Sequence, residues 1–231
     1  MAVKLINFDE RLSQAVRFFW RGRRDAAKKQ QTAGKADQGN RGAVTGGKNL
    51  DAFRDMIVDV VHRHGPEGCE VHRGKSMVVL PGFFRPTKQW DLLIVFQNRL
   101  LAAFELKSLC GPSFGNNANN RCEEAIGSGY DFRKAQSEGL FGPGASPFLG
   151  YFILVAPKES KCGDSSHLSN PTAFRFLLSR LAGHLASEAD LVGGPETRFK
   201  DEPAVYESGS LLAGECFSSI EPLEKTGLTQ P

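Results

Sequence analysis

Two apolar runs, WDLLIVF (90–96) and LLAAFELK (100–107), stand three residues apart, and each carries charge that a purely apolar hairpin would not hold. Asp91 sits near the start of the first run. Glu105 and Lys107 lie two apart near the end of the second, so strand alternation points both to the same face. Burying two acids and a lysine in such surroundings is costly unless something compensates them. A divalent cation would do so, because two carboxylates and a nearby backbone carbonyl are the oxygen ligands magnesium prefers, with waters completing the octahedron. An exposed edge hairpin whose charges face water satisfies the same residues.

Register separates the two readings. If Gln97-Asn98 is a simple two-residue turn, Asp91 pairs with Phe104, which leaves Asp91 and Glu105 on opposite faces. An odd-length loop over 97–99, or a bulge, shifts the pairing by one and brings Asp91 opposite Glu105. The shifted register is the one expected here.

The rest of the chain reads as α/β. Helical spacing over 5–29 gathers Leu5, Phe8, Leu12, Ala15, Val16 and Phe19, with Arg21–Arg24 at the end that the helix dipole favours for positive charge. A second helix is expected over 49–64, capped by Asn49 and stopped by Gly65-Pro66, with Leu50, Phe53, Ile57, Val60 and Val61 buried. MVVLPGFF (77–84) and the two charged runs read as a strand meander. Helical spacing returns at 121–138, and FLGYFILVA (148–156) is apolar enough for a central strand, parallel to its predecessor through a right-handed crossover. Phe174, Leu177, Leu178, Leu181 and Leu185 mark a helix over 172–191. The expected organisation is a basic N-terminal helix (1–29), a flexible linker (30–47), a core (48–191) and an acidic, poorly ordered tail (192–231).

A length of 231 residues with 40% hydrophobic content supports one core with at most a small appendage. Residues 1–48 hold eleven Lys/Arg against four Asp/Glu, and residues 187–231 hold three against nine, so the overall +3 conceals a basic N-terminal segment suited to a polyanion. No apolar run is long enough to span a membrane and no signal peptide is evident, so a cytoplasmic location is expected. Cys69, Cys110, Cys122, Cys162 and Cys216 form no CxxC pair and read as thiols. His62 and His64 point apart on their helix, while His72, His167 and His184 stand alone, so none is expected to be catalytic. No P-loop pattern is present.

The D-x13-E-x-K spacing of Asp91, Glu105 and Lys107 resembles the PD-(D/E)xK nuclease superfamily, with Trp90 where the proline would stand. Over residues 46–153 the blocks GGKNLDAF, FFRPTKQWDLL, LLAAFELKS, GPSFGNNANNRCEEAIGS and FLGYFIL resemble the XhoI family of type II restriction endonucleases. The resemblance thins beyond Ala156, where KESKCGDSSHLSNP is short and loop-like. It implies a restriction-endonuclease-like core with a mixed central sheet flanked by helices. It also implies a homodimer that cuts double-stranded DNA at the palindrome CTCGAG to leave 5′ overhangs, alongside a cognate DNA methyltransferase. Asp91, Glu105 and the Leu106 carbonyl would bind Mg²⁺, and Lys107 would orient or help deprotonate the attacking water.

For a third acid the candidates are Asp55, Asp59 and Glu70, with Glu70 preferred. Asn116, Asn117, Asn119, Asn120 and Arg121, read as preceding a helix, are candidate DNA contacts, because Asn and Arg make bidentate contacts to adenine and guanine. Asn120 as a plain helix cap is the alternative. Glu123 and Glu124 read as helix-start acids or readers of cytosine amino groups. Arg85 and Lys88 are candidate phosphate contacts. A repair nuclease or resolvase with the same site, or a DNA-binding relative with impaired catalysis, are the competing readings.

Overall fold

The computed structural model describes residues 5–32, 47–74, 77–110, 114–142, 145–155 and 171–193. Helix α1 (Phe8–Thr32) is followed by a 3₁₀ turn (Gly47–Leu50) and helix α2 (Asp51–His64). Strands β1 (Glu70–His72), β2 (Val79–Pro81), β3 (Thr87–Gln89), β4 (Leu92–Phe96) and β5 (Arg99–Leu109) come next. Helix α3 (Phe114–Ser137), strand β6 (Phe148–Val155) and helix α4 (Pro171–Gly193) complete it. The linker expected over 30–47 and the tail over 192–231 fall almost wholly outside the described residues, as does His167. Among the described residues no helix is long and apolar enough to cross a membrane.

The central sheet is mixed, in the order β1-β4-β5-β6, with β5 and β6 parallel and joined through α3. Helices cover both faces. Phe8, Leu12, Ala15, Val16 and Phe19 of α1 enter one core with Phe53, Ile57, Val60 and Val61 of α2 and Phe174, Leu178, Leu181 and Leu185 of α4. Each expected apolar stripe is therefore buried, apart from the half-buried Leu5 and Leu177. Arg23, grouped in the sequence with outward-facing basic residues, is buried and lies 5.8 Å from the centre of the Phe19 ring. Its position on the inner face of α1 explains this.

Four expectations need correction. β2 pairs with β3 in a separate two-stranded ribbon, so residues 77–84 do not continue the meander into the central sheet. β6 is an edge strand among the described residues; its apolar character reflects helices on both faces, not a central place in the strand order. Helix α2 begins at Asp51 with Leu50 at the cap position and no side-chain cap hydrogen bond, because Asn49 is wound into the preceding 3₁₀ turn. Helix α3 begins at Phe114, so the Asn-rich block is its first turns and Asn120 cannot cap it. Asn119 Nδ2 donates to Glu123 Oε1 at 2.8 Å, a one-turn bond that favours helix over loop.

The register is the shifted one, and a bulge produces it. Gln97 and Asn98 form a two-residue turn with φ of 47° and 64°, which pairs Phe96 with Arg99 and Val95 with Leu100. The next pair is Ile94 with Ala102, leaving Leu101 as the extra residue, and Leu92 then lies opposite Phe104. A bulge residue loses its ladder partner. Here His184 Nε2 of α4 lies 3.1 Å from the Leu101 carbonyl, which accepts its N–H. Burial holds the His184 ring below the usual imidazole range, while Glu188 and the Leu101 carbonyl act in the opposite sense. One further close approach fixes the β5–β6 contact: a Cβ at Gly150 would stand 2.2 Å from the ring of its register partner Phe104.

His184→Phe keeps an aromatic ring and deletes the donor. Leaving the buried carbonyl unsatisfied is expected to cost about 1–3 kcal/mol, read as a lowered urea midpoint; an unchanged midpoint would show that the bulge holds without it.

Candidate active site

Alternation sorts the sheet residues before any chemistry enters. Leu92, Ile94, Phe96, Ala102, Phe104 and Leu106 face the core of α1, α2 and α4. Leu93 and Ala103 face a smaller cluster with Val78, Trp90, Leu100 and Phe132. Glu105 and Lys107 continue this second face beyond the point where its apolar contacts stop. Tyr151, the β6 register partner of Glu105, points the same way.

Asp91 stands at the mouth of β4 and grips β5 on either side of Glu105. Its amide donates to the Phe104 carbonyl at 2.9 Å, and its Oδ2 accepts the Leu106 amide at 2.8 Å. The carboxylate thus replaces a ladder acceptor where β4 has ended. A strand residue sends its N–H and C=O to the same side, so the Leu106 carbonyl faces this same edge. Arg54 of α2 reaches Asp91 Oδ1 at 3.3 Å and is also paired with Asp51.

Glu105 is only 4% exposed. Its Oε1 is paired with Lys107 Nζ, and Lys88 Nζ of the β2–β3 ribbon lies 3.3 Å from Oε2. Lys88 also sits 4.7 Å from the centre of the Trp90 ring. Lys107 Nζ is 3.3 Å from Glu124 Oε1 of α3, and Glu124 Oε2 accepts from Arg121 Nη1. The chain of charge therefore runs Lys88, Glu105, Lys107, Glu124, Arg121.

Burial alone would draw the Lys107 ammonium down, but Glu105 and Glu124 outweigh it and hold the group above its ordinary value. For Glu124 burial pushes upward, and the Lys107 and Arg121 charges prevail to hold it below the carboxylate norm. The Tyr151 hydroxyl is raised strongly by burial, then by Glu124 and Glu105, with Asp91 adding to them. One buried phenol thus senses all three acids.

The donor set fits a hydrated divalent cation. Glu105 Oε2 and the Tyr151 hydroxyl are buried with no hydrogen-bond partner among the described residues, the Lys88 contact being one of charge alone. Buried polar atoms of this kind need water, an ion or a ligand. No cluster of three or more His, Cys, Asp or Glu suited to a metal is found among the described residues. Two carboxylates and a main-chain oxygen suit magnesium, which keeps several of its waters.

The other candidates are dispersed. Asp55 pairs with Arg73, Asp59 with Arg11 and Arg63, and Glu70 is exposed opposite Val95, at the far end of β4 from Asp91. The acid that does join the site is Glu124. Arg85 is engaged by buried Asp131 at 3.2 Å, the same carboxylate that accepts the Phe83 and Phe84 amides, so it braces the ribbon loop. Lys88 is half-buried and turned toward Glu105 in the protein alone. Asn117, Asn119 and Asn120 are exposed on α3; the Asn116 side chain lies outside the described residues. Asn117, Asn120, Arg121 and Glu124 share one helical stripe that ends at Lys107.

A model of the family described as restriction endonuclease XhoI matches residues 29–176. The chain belongs to the XhoI restriction endonuclease family. It is 44% identical over 163 residues to the type II restriction enzyme AbrI of Azospirillum brasilense, a match covering 70% of this chain and 73% of that protein. Identity to XhoI of Xanthomonas vasicola is 44% over 160 residues, covering 69% of this chain and 64% of the relative. Identity to BstVI of Geobacillus stearothermophilus is 48% over 138 residues, covering 57% and 61% respectively. The match therefore spans less than two thirds of the latter two relatives. No solved structure matches. Family members are type II restriction endonucleases, which cut double-stranded DNA at specific sites, and the mixed α/β core agrees with that fold.

Sequence reasoning did not find Arg54, Tyr151 or the role of Glu124. Their signal was helical or strand phase relative to Glu105, which depended on boundaries the sequence left open.

Because Glu124 is held below its ordinary value of 4.5 in the folded chain, its contribution to stability is present above pH 4.5 and lost as pH falls through the lower folded value. The urea midpoints of wild type and Glu124→Gln are expected to differ at neutral pH and to converge on acidification below 4.5; a constant gap would contradict this.

Proposed function

We propose that this chain is a Mg²⁺-dependent type II restriction endonuclease that acts as a homodimer on CTCGAG and leaves 5′ overhangs. The observation that carries the reading is the convergence of Asp91, Glu105 and Lys107 at one end of the sheet, beside two buried polar atoms with no hydrogen-bond partner among the described residues. Asp91, Glu105 and the Leu106 carbonyl would hold the cation, which supplies polarisation of the phosphoryl oxygen and a lowered pKa for water. Lys107 orients the attacking water in line with the departing 3′ oxygen and offsets charge that grows on the phosphate. Lys88 and Arg54, which neutralise the same acids in the protein alone, become available to phosphate oxygens when the carboxylates turn to the cation. The exposed Asn117, Asn119 and Asn120, with Arg121, are the candidates for base contacts in the major groove. Two copies related by a two-fold axis match the symmetry of a palindrome.

Glu105→Ala and Asp91→Ala are expected to abolish cutting of plasmid DNA in Mg²⁺ while duplex binding in Ca²⁺ is largely retained. Discrete bands whose sequenced ends fall within CTCGAG and carry 5′ overhangs would identify the specificity, whereas a smear would favour a repair-type nuclease. Equal loss of binding and cutting would argue against a metal role.

Cation and duplex should also assist each other, since phosphates accept the Lys88 and Arg54 side chains that the cation displaces. Calorimetry is expected to show Ca²⁺ binding strengthened by cognate duplex by a factor of about 5–150. Independent binding would remove the displacement argument.

A further inference from the structure

We propose that Glu124 is a positioning residue for Lys107: it keeps the ammonium in the site once Glu105 has turned to a cation. This rests on the reading above. In the protein alone Lys107 Nζ bridges two carboxylates, Glu105 on its own strand and Glu124 on α3 at 3.3 Å. The two are not equivalent. Glu105 is the acid that a cation would take, and a divalent ion and an ammonium compete for the same lone pairs. As Glu105 turns, Lys107 loses that partner and meets a new positive charge. Among the described residues, the other acid in contact with Lys107 is Glu124, which then decides whether the flexible side chain stays or swings away.

Glu124 is built for that task. One oxygen contacts Lys107 and the other accepts from Arg121, so its rotamer is fixed from both ends. Arg121 lies three residues earlier on the stripe that carries Asn117 and Asn120. The helix face offered to DNA and the placement of the lysine therefore share one pair of side chains.

The test uses the full chain with Glu124→Gln, which keeps shape and removes charge, and Glu124→Asp, which restores charge on a shorter stem. With a CTCGAG duplex and Mg²⁺, Glu124→Gln is expected to lower kcat roughly 10–100-fold, the range for residues that orient a metal site. KM and Ca²⁺ affinity should stay unchanged, and Glu124→Asp should recover part of the rate. In ¹⁵N-lysine spectra of Ca²⁺-loaded protein, the Lys107 ammonium protons should be protected from exchange in the wild type and lost in Glu124→Gln. Wild-type kcat in Glu124→Gln, or joint loss of rate and Ca²⁺ affinity, overturns the proposal. If the wild type itself does not cut, the reading above fails, and the Lys107 signal alone decides this inference. Should Glu124→Gln not fold, an unprotected Lys107 in Glu124→Asp supports the proposal and full protection with the wild-type rate overturns it.

Discussion

The extra residue at Leu101 sets the phase of β5 against β4, and the site depends on that phase. Without it, the turn at Gln97-Asn98 would put Asp91 opposite Phe104 and Glu105 opposite Trp90. The bulge moves every pair beyond it by one, and Asp91 then spans Glu105 by bonding the main chain at residues 104 and 106. A backbone irregularity four pairs away thus does what no side-chain substitution at the site could do. Its unpaired carbonyl is met by a half-buried histidine from α4, so the helix that fills the core also helps keep the register.

The second constraint is electrostatic. Asp91, Glu105 and Glu124 gather where the sheet's second face runs out of apolar partners, and Arg54, Lys88, Lys107 and Arg121 answer them. Those bases come from α2, the ribbon, β5 and α3, so the charge balance joins α2, which packs in one core, to elements that share the second apolar cluster. Breaking one such pair leaves its partner buried and uncompensated, which costs more than the pair contributes. Counting Asp51, which also holds Arg54, four acids face four bases, and this balance lets acids suited to a cation stay buried beforehand.

The strands, the helical stripes and the three charged positions were legible in the sequence because each rests on a local period. The need for a register shift was legible too, since a plain two-residue turn puts Asp91 and Glu105 on opposite faces. Leu101 as its location was not, because a bulge depends on what lies across the sheet and on a donor 83 residues away. Asn116 to Asn120 misled because asparagine favours turns in isolation, whereas here Asn119 is recruited by Glu123 into a helix already under way. That displacement of the helix start by seven residues hid Glu124, whose phase on α3 brings it to Lys107. Glu70 was preferred on strand proximity, yet antiparallel pairing carries it to the opposite end of β4.

Gly150 gives this architecture a mechanical tolerance. The Phe104 ring occupies the space a methyl group would need, and Phe104 has no room to retreat within the core. Any side chain there would wedge β6 outward, and the next residue along, Tyr151, would carry the displacement to Glu105. Packing deep in the sheet and alignment at its polar end are thus a single dimension, with a permissible error smaller than one carbon atom.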